Sequence, residues 1–125
     1  MKVAVGCDHG GFVLKDAVIS TLEELGAQVV DMGTYSTESV DYPVYGKKVA
    51  DAVAKGECDL GVVMCGTGIG ISIAANKVKG IRAAVVTDEF MAEMTRRHNN
   101  ANIIALGGRV ITPEKAKSLV KAWYT

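Results

Sequence analysis

At 125 residues with 49% hydrophobic side chains, the chain is long enough for one domain, residues 1–125, with a real core. Fourteen basic residues balance fourteen acidic ones and no basic stripe is present, which argues against a nucleic-acid partner. No apolar run reaches the roughly 18 residues of a membrane span, and Met1-Lys2-Val3-Ala4-Val5 meets Gly6 and Asp8 too soon for a secretory leader, so the expectation is a cytoplasmic protein with no membrane contact.

The first predicted element is a strand, Val3–Cys7, followed by the polar turn Asp8-His9-Gly10-Gly11. Leu14, Val18, Leu22 and Leu25 then recur on one helical face, opposite Lys15, Glu23 and Glu24, and Gly26 supplies the stop. A second strand spans Gln28–Met32. Tyr45, Val49, Ala52 and Val53 mark a second helix, with Pro43 tolerated at its start. The third strand, Leu60–Met64, leads into Cys65-Gly66-Thr67-Gly68-Ile69-Gly70 and a helix from Ile69 to about Lys77. Ile81–Val86 reads as a strand, Phe90, Met91 and Met94 as a helix, and Asn102–Leu106 as the last strand. Thr112 as N-cap, Pro113, then Ala116, Leu119, Val120 and Trp123 mark the final helix.

Strands alternating with helices, several of them near-continuous apolar runs, predict an α/β fold: one doubly wound five-stranded parallel sheet in a three-layer αβα, Rossmann-like sandwich. Such sheets bind ligands at the carboxyl ends of their strands. Those ends carry Asp8–Gly11, Gly33–Pro43, Cys65–Gly70, Thr87-Asp88 and Gly107–Arg109, where most of the chemically interesting residues fall.

Cys65–Gly70 is the strongest segment. Its alternating glycines let the backbone approach a ligand and aim several N–H groups at one anion beside a helix start. The same field favours a thiolate at Cys65, suited to removing a proton next to a carbonyl while the N–H groups hold the developing oxyanion. The competing reading is a tight turn and a buried structural thiol. Cys7 and Cys58 read as packing residues, and three cysteines without close pairing do not form a disulfide framework. His9 and His98 are the two histidines; His98-Asn99-Asn100-Ala101-Asn102 reads as the link between the fourth helix and fifth strand, directed at the presumed site. Asp8 either orients a substrate hydroxyl or caps the first helix. Arg109 either binds phosphate or makes a surface ion pair. Asn99, Asn100 and Asn102 serve as ligand contacts or as turn formers. The glycine spacing is not that of a dinucleotide fingerprint, no P-loop or G-x-S-x-G elbow is present, and Asp, Glu and His do not cluster as metal ligands, so no cofactor and no metal are expected.

Together these stretches closely resemble the ribose-5-phosphate isomerase B family, which includes the galactose-6-phosphate isomerase subunits. The resemblance rests on Gly6-Cys7-Asp8-His9-Gly10-Gly11, Asp31-Met32-Gly33-Thr34-Tyr35, Asp41-Tyr42-Pro43, Cys65 through Lys77, Gly80-Ile81-Arg82-Ala83-Ala84, His98 through Asn102 and Gly108-Arg109-Val110-Ile111, in order along the chain. It implies that Cys65 is the base that moves a proton between C1 and C2 through an enediolate, that His98 assists furanose ring opening, and that Thr67 helps protons move between the C1 and C2 oxygens. It further implies that Asp8 holds sugar hydroxyls, that Gly66, Thr67, Gly68, Ile69 and Gly70 cradle the enediolate, and that Tyr42 and Asn99 are ligand contacts. His9 and Arg109 become phosphate-side contacts. The family's members are homodimers or homotetramers with sites shared between subunits. They also carry a basic tail beyond the last helix; this sequence stops at Trp123-Tyr124-Thr125, so the expectation is weaker phosphate binding and a weaker dimer. Interconversion of ribose 5-phosphate and ribulose 5-phosphate is the leading expectation. An allose- or galactose-6-phosphate isomerase and a non-catalytic sugar-phosphate-binding module are the alternatives.

Overall fold

The computed structural model describes all 125 residues, Met1–Thr125. In chain order the elements are β1 (Lys2–Cys7), α1 (Phe12–Glu24), β2 (Gln28–Asp31), α2 (Tyr42–Ala54), β3 (Leu60–Cys65), α3 (Ile69–Asn76), β4 (Ala83–Val85), α4 (Glu89–Asn99), β5 (Ile103–Gly107) and α5 (Pro113–Tyr124). The strands form one wholly parallel sheet in the order β2-β1-β3-β5-β4. The expected three-layer sandwich is therefore present, and no helix is long and apolar enough to cross a membrane.

Handedness explains which helix covers which face. Parallel crossovers are almost always right-handed. The moves β1→β2 and β4→β5 run in one direction across the sheet, while β2→β3 and β3→β4 run in the other. Helices α1 and α4 must therefore share a face, and α2 and α3 must share the opposite one. The two cores agree. One gathers Leu14, Val18 and Leu22 of α1, Ala92 of α4 and Leu119, Val120 and Trp123 of α5; the other gathers Val49 and Val53 of α2 with Ile71 and Ala75 of α3.

The strands alternate with period two between these cores. Val3, Val5 and Cys7, then Leu60, Val62 and Met64, face the α1/α4/α5 layer. Ala4, Val63 and Cys65 face the α2/α3 layer. Central strand β3 is buried at every position. Edge strand β4 is shorter than Ile81–Val86 suggested, because Asn76 and Asn102 pull the preceding residues into a turn. Asn76 brackets Ala83, accepting its N–H (2.8 Å) and donating to its carbonyl (2.9 Å). Asn102 accepts from the Arg82 N–H (2.9 Å) and donates to the Gly80 carbonyl (3.0 Å), which answers the turn-former reading for that residue.

The helix signals read as expected at three ends. Gly26 takes φ +90° just past α1, Thr112 Oγ1 accepts the Lys115 N–H (3.1 Å), and Pro43 sits in the first turn of α2. One face was misassigned: Lys15, placed with the polar side of α1, is buried, only 4% exposed. It lies three and seven residues before Val18 and Leu22, so it borders the core stripe.

Burial pushes the Cys7 thiol up to about 11 against the opposing pull of Lys15. The folded state thus holds this proton more tightly than the unfolded chain, whose thiol titrates near 9.0. That stabilisation is complete below the unfolded value and disappears as pH rises through the folded one. The expected outcome is a loss of roughly 2 to 3 kcal/mol of unfolding free energy from this group between about pH 9 and 11. Urea unfolding of wild type and Cys7→Ala across that window checks it: the variant should show the shallower decline.

Candidate active site

The register pairs Cys7 with Met64 and Cys65 with Gly107, which sets the carboxyl ends of β1, β3 and β5 side by side. Backbone bonds lace their loops together. The Asp8 N–H donates to the Met64 carbonyl (3.1 Å), the Gly108 N–H to Cys65 (2.8 Å) and the Arg109 N–H to Gly66 (2.9 Å). The approach is close enough to require glycine at 108, where a Cβ would collide with the Gly10 carbonyl oxygen; a Cβ on Gly66 would lie 2.9 Å from Arg109 Nη1, so the guanidinium rests over this loop. Asp8, Cys65 and Arg109 thus belong to one surface, as the strand-end argument predicted.

Cys65 ends β3 and is 5% exposed. Gly68, at φ +82°, is the N-cap of α3, and its N–H donates to Cys65 Sγ at 3.1 Å. Exposed Thr67 accepts the Ile69 N–H at its hydroxyl (3.1 Å). The N–H groups of Gly66, Thr67, Gly70 and Ile71 have no acceptor in the chain, leaving a row of donors at the start of a helix beside the sulfur. Tyr42 opens α2 and lays its ring against Gly70. A cleft of 260 Å³ runs from there between α2 and α3, bounded by Lys47, Ile73 and Lys77.

Asp8 is buried, and its Oδ1 accepts from the N–H groups of Gly10 (2.8 Å) and Gly11 (3.0 Å). It shapes the turn before α1; Gly11 itself occupies the N-cap position. His9 Nδ1 accepts the Val40 N–H at 3.1 Å, which assigns its proton to Nε2 and makes that nitrogen a donor. The other two thiols, Cys7 and Cys58, are buried, and burial raises both.

His98 and Asn99 require a correction. They form the last turn of α4 rather than a loop, and α4 runs antiparallel to the strands. They therefore lie at the amino end of the sheet. Strand β5 separates the two ends: Ile103 pairs with Gly61 and Gly107 with Cys65, four rises or roughly 13 Å along the strand. Within one chain, His98 does not reach Cys65. Asn100 takes φ +50° to end the helix, and the Asn99 carbonyl accepts from Arg82 Nε (2.9 Å). No group of three His, Cys, Asp or Glu side chains is arranged to hold a metal ion.

Two features escaped the sequence reading. The Val40–His9 bond links segments 31 residues apart and has no local signal. Buried Lys15 did have one, since its spacing to Val18 and Leu22 places it beside the core.

Gly68→Ala should cost roughly 1 to 2 kcal/mol from the left-handed backbone, with a Cβ 3.0 Å from the Leu106 carbonyl carbon adding to it. By turning the N–H away from Cys65, it should also slow alkylation of Cys65 about tenfold at neutral pH. Gly26→Ala is the control, since Gly26 also has positive φ (+90°) but open space around it. Peptide mass spectrometry reads the rates; equal rates in both variants would sever the Gly68 N–H from thiol reactivity.

Residues 3–125 match the family described as Ribose/Galactose Isomerase. The chain is 52% identical over 122 residues to ribose-5-phosphate isomerase B of Escherichia coli (strain K12), covering 98% of this chain and 82% of that one. It superposes on ribose-5-phosphate isomerase B of Clostridium thermocellum with a TM-score of 0.97 at 56% identity, over 100% of this chain and 84% of that one. Ribose-5-phosphate isomerase B of Mycoplasma genitalium, solved with bound ribulose-5-phosphate, gives a TM-score of 0.94 at 38% identity, over 99% and 83%. The chain belongs to the ribose/galactose isomerase family of aldose–ketose sugar-phosphate isomerases.

Proposed function

We propose that the chain interconverts ribose 5-phosphate and ribulose 5-phosphate by proton transfer, without a cofactor, at a site shared between two copies. The observation that carries this reading is the placement of Cys65 Sγ on the same turn as a row of unpaired N–H donors. The relatives named ribose-5-phosphate isomerase B, and the neighbour solved with ribulose-5-phosphate, support a pentose phosphate as substrate.

In the open-chain aldose, the Cys65 thiolate removes the C2 proton. The electron pair forms the C1–C2 double bond of an enediolate, and the oxygen that gains charge lies against the N–H groups of Gly66 to Gly70. The Thr67 hydroxyl passes the proton between O1 and O2, and Cys65 returns its proton to C1. Asp8 orients sugar hydroxyls, with Tyr42 at the rim. His9 Nε2–H and Arg109 take the phosphate, where charge-assisted donors bind tightly.

Ring opening needs an acid–base group that moves a proton from the anomeric hydroxyl to the ring oxygen. His98 suits that step, with Asn99 as a neighbouring contact. The length of β5 keeps it from its own chain's Cys65, so it serves the site of a second copy. Exposed Phe90 and Met91 on the same helix, beside a hollow of 320 Å³ against β4, give a partner apolar surface to cover. Three unpaired thiols suit the reducing cytoplasm.

Isotope exchange, variant turnover, a substrate panel and subunit mixing test this reading. The wild-type enzyme should exchange the substrate's C2 proton with solvent, and Cys65→Ser should lose roughly 10² to 10⁴-fold in turnover while still binding ligand. A substrate panel that turned over a hexose phosphate faster than ribose 5-phosphate would move the chain to the galactose side of the family. Mixing inactive Cys65→Ser with inactive His98→Asn should restore about a quarter of wild-type activity, because half of randomly re-formed dimers carry one intact site of two. No restoration would confine each site to one chain.

A further inference from the structure

Lys15 is the one lysine or arginine among the buried residues, and the mechanism above does not use it. Its Nζ pairs with Asp31 Oδ2 at 2.8 Å, donates to the Thr34 carbonyl at 2.7 Å, and lies 4.3 Å from the centre of the Tyr35 ring. An ammonium taken out of water is tolerated only when partners on several sides replace the solvent. Here all three lie at the end of β2 and in the segment leaving it. Asp31 reinforces the same turn, accepting the Gly33 N–H at Oδ1 (3.0 Å) and the Tyr35 hydroxyl at its carbonyl (3.2 Å). The segment then crosses back to the site, where the Val40 N–H meets His9 Nδ1 (3.1 Å). His9 and Lys15 are joined through the first turn of α1. The result is a closed circuit: His9, α1, Lys15, the turn at 31–35, Val40 and back to His9.

We propose that Lys15 is a positioning residue for His9: by anchoring the turn at 31–35 it fixes where Val40 presents its N–H, and so holds the His9 ring with Nε2–H directed into the phosphate side of the site. The consequence for turnover rests on the sugar-phosphate reading of His9; the structural coupling does not. An imidazole freed from Val40 can exchange tautomers and rotate, so that the donor faces the ligand only part of the time. Because the phosphate is remote from the reacting carbons, the loss should fall mainly on substrate binding.

Imidazole nitrogen shifts, measured by NMR, provide the test. In the wild-type protein His9 should show a single Nε2–H tautomer, and the Val40 amide should be protected from hydrogen exchange; rapid tautomer averaging at His9 would overturn the proposal at once. Lys15→Met keeps the apolar stem and removes the charge. It should average the His9 tautomers, speed Val40 exchange at least about tenfold, and raise KM about tenfold with kcat within about twofold. Lys115→Met, which breaks an exposed pair with Glu89 (2.9 Å) between the first turns of α5 and α4, should change none of these. If Lys15→Met does not fold, Asp31→Asn, which keeps the acceptor for Gly33, carries the same readouts. Unchanged His9 shifts and Val40 exchange in a folded, active variant overturn the proposal and leave the isomerase reading intact. A wild-type protein without isomerase activity overturns that reading, while the NMR result still decides the circuit.

Discussion

Both faces of the sheet are covered, and that single constraint distributes everything else in the molecule. Along β1, β3 and β5 almost no position can carry a polar side chain, because nothing beside it could replace water. Polar chemistry is displaced to the strand ends. At the carboxyl end, three short loops converge at the spacing of neighbouring strands, so Asp8, Cys65–Gly70 and Arg109 meet without any long-range search by flexible segments. The backbone bonds from Asp8 to Met64 and from Gly108 to Cys65 extend the ladder beyond the strands. The site therefore inherits the rigidity of the core, as a centre that must hold donors ready for a transient charge requires.

The amino end of the sheet has the opposite character. Asn102 and Arg82 lock the turn before β4, Asn100 ends α4 in the left-handed region, and Trp123 Nε1 donates to the Ala101 carbonyl at 3.2 Å. These bonds satisfy backbone groups rather than opening them to a ligand. His98 stands exposed at this stiff end, held by a short helix whose other exposed residues include Phe90 and Met91. Chain direction alone thus divides Cys65 and His98 between opposite ends of one molecule. The proposed ring-opening role of His98 therefore requires a second copy of the chain.

How much the sequence revealed follows from what kind of signal each feature has. Strands β1, β3 and β5 were readable because burial on both faces makes them apolar runs. The glycine loop was readable because its residue types are required where they stand. β4 was overestimated because hydrophobicity continues through Ile81, while the ends of the strand are set by side-chain amides of Asn76 and Asn102 that act on backbone from elsewhere. His98 is not legible in the same way, because nearness in sequence to a strand start is not nearness to the site; helix direction decides the matter. Lys15 carries two opposed signals: its charge points to solvent, while its spacing puts it on the border of the core. Long-range bonds such as Val40 to His9 have no periodicity to betray them.

The thiols show how finely parity controls chemistry. Cys7 and Cys65 both close strands, on neighbouring strands and at the same end of the sheet. Register places Cys7 beside Met64, one residue short of Cys65. That offset of one reverses the face. Cys7 turns into the α1/α4/α5 core, where burial holds its proton and the thiol acts as a small apolar group. Cys65 turns to the α2/α3 side, where the chain at once bends through Gly66, Thr67 and Gly68 and delivers an N–H to the sulfur. A slip of one residue in β3 would exchange the faces, sending Cys65 into the α1/α4/α5 core and Met64 to the α2/α3 side. Because strand side chains alternate without exception and both faces are packed, such a slip would misplace every residue from Leu60 to Met64 at the same time. The packing that stabilises β3 therefore also specifies which thiol stands beside the glycine loop.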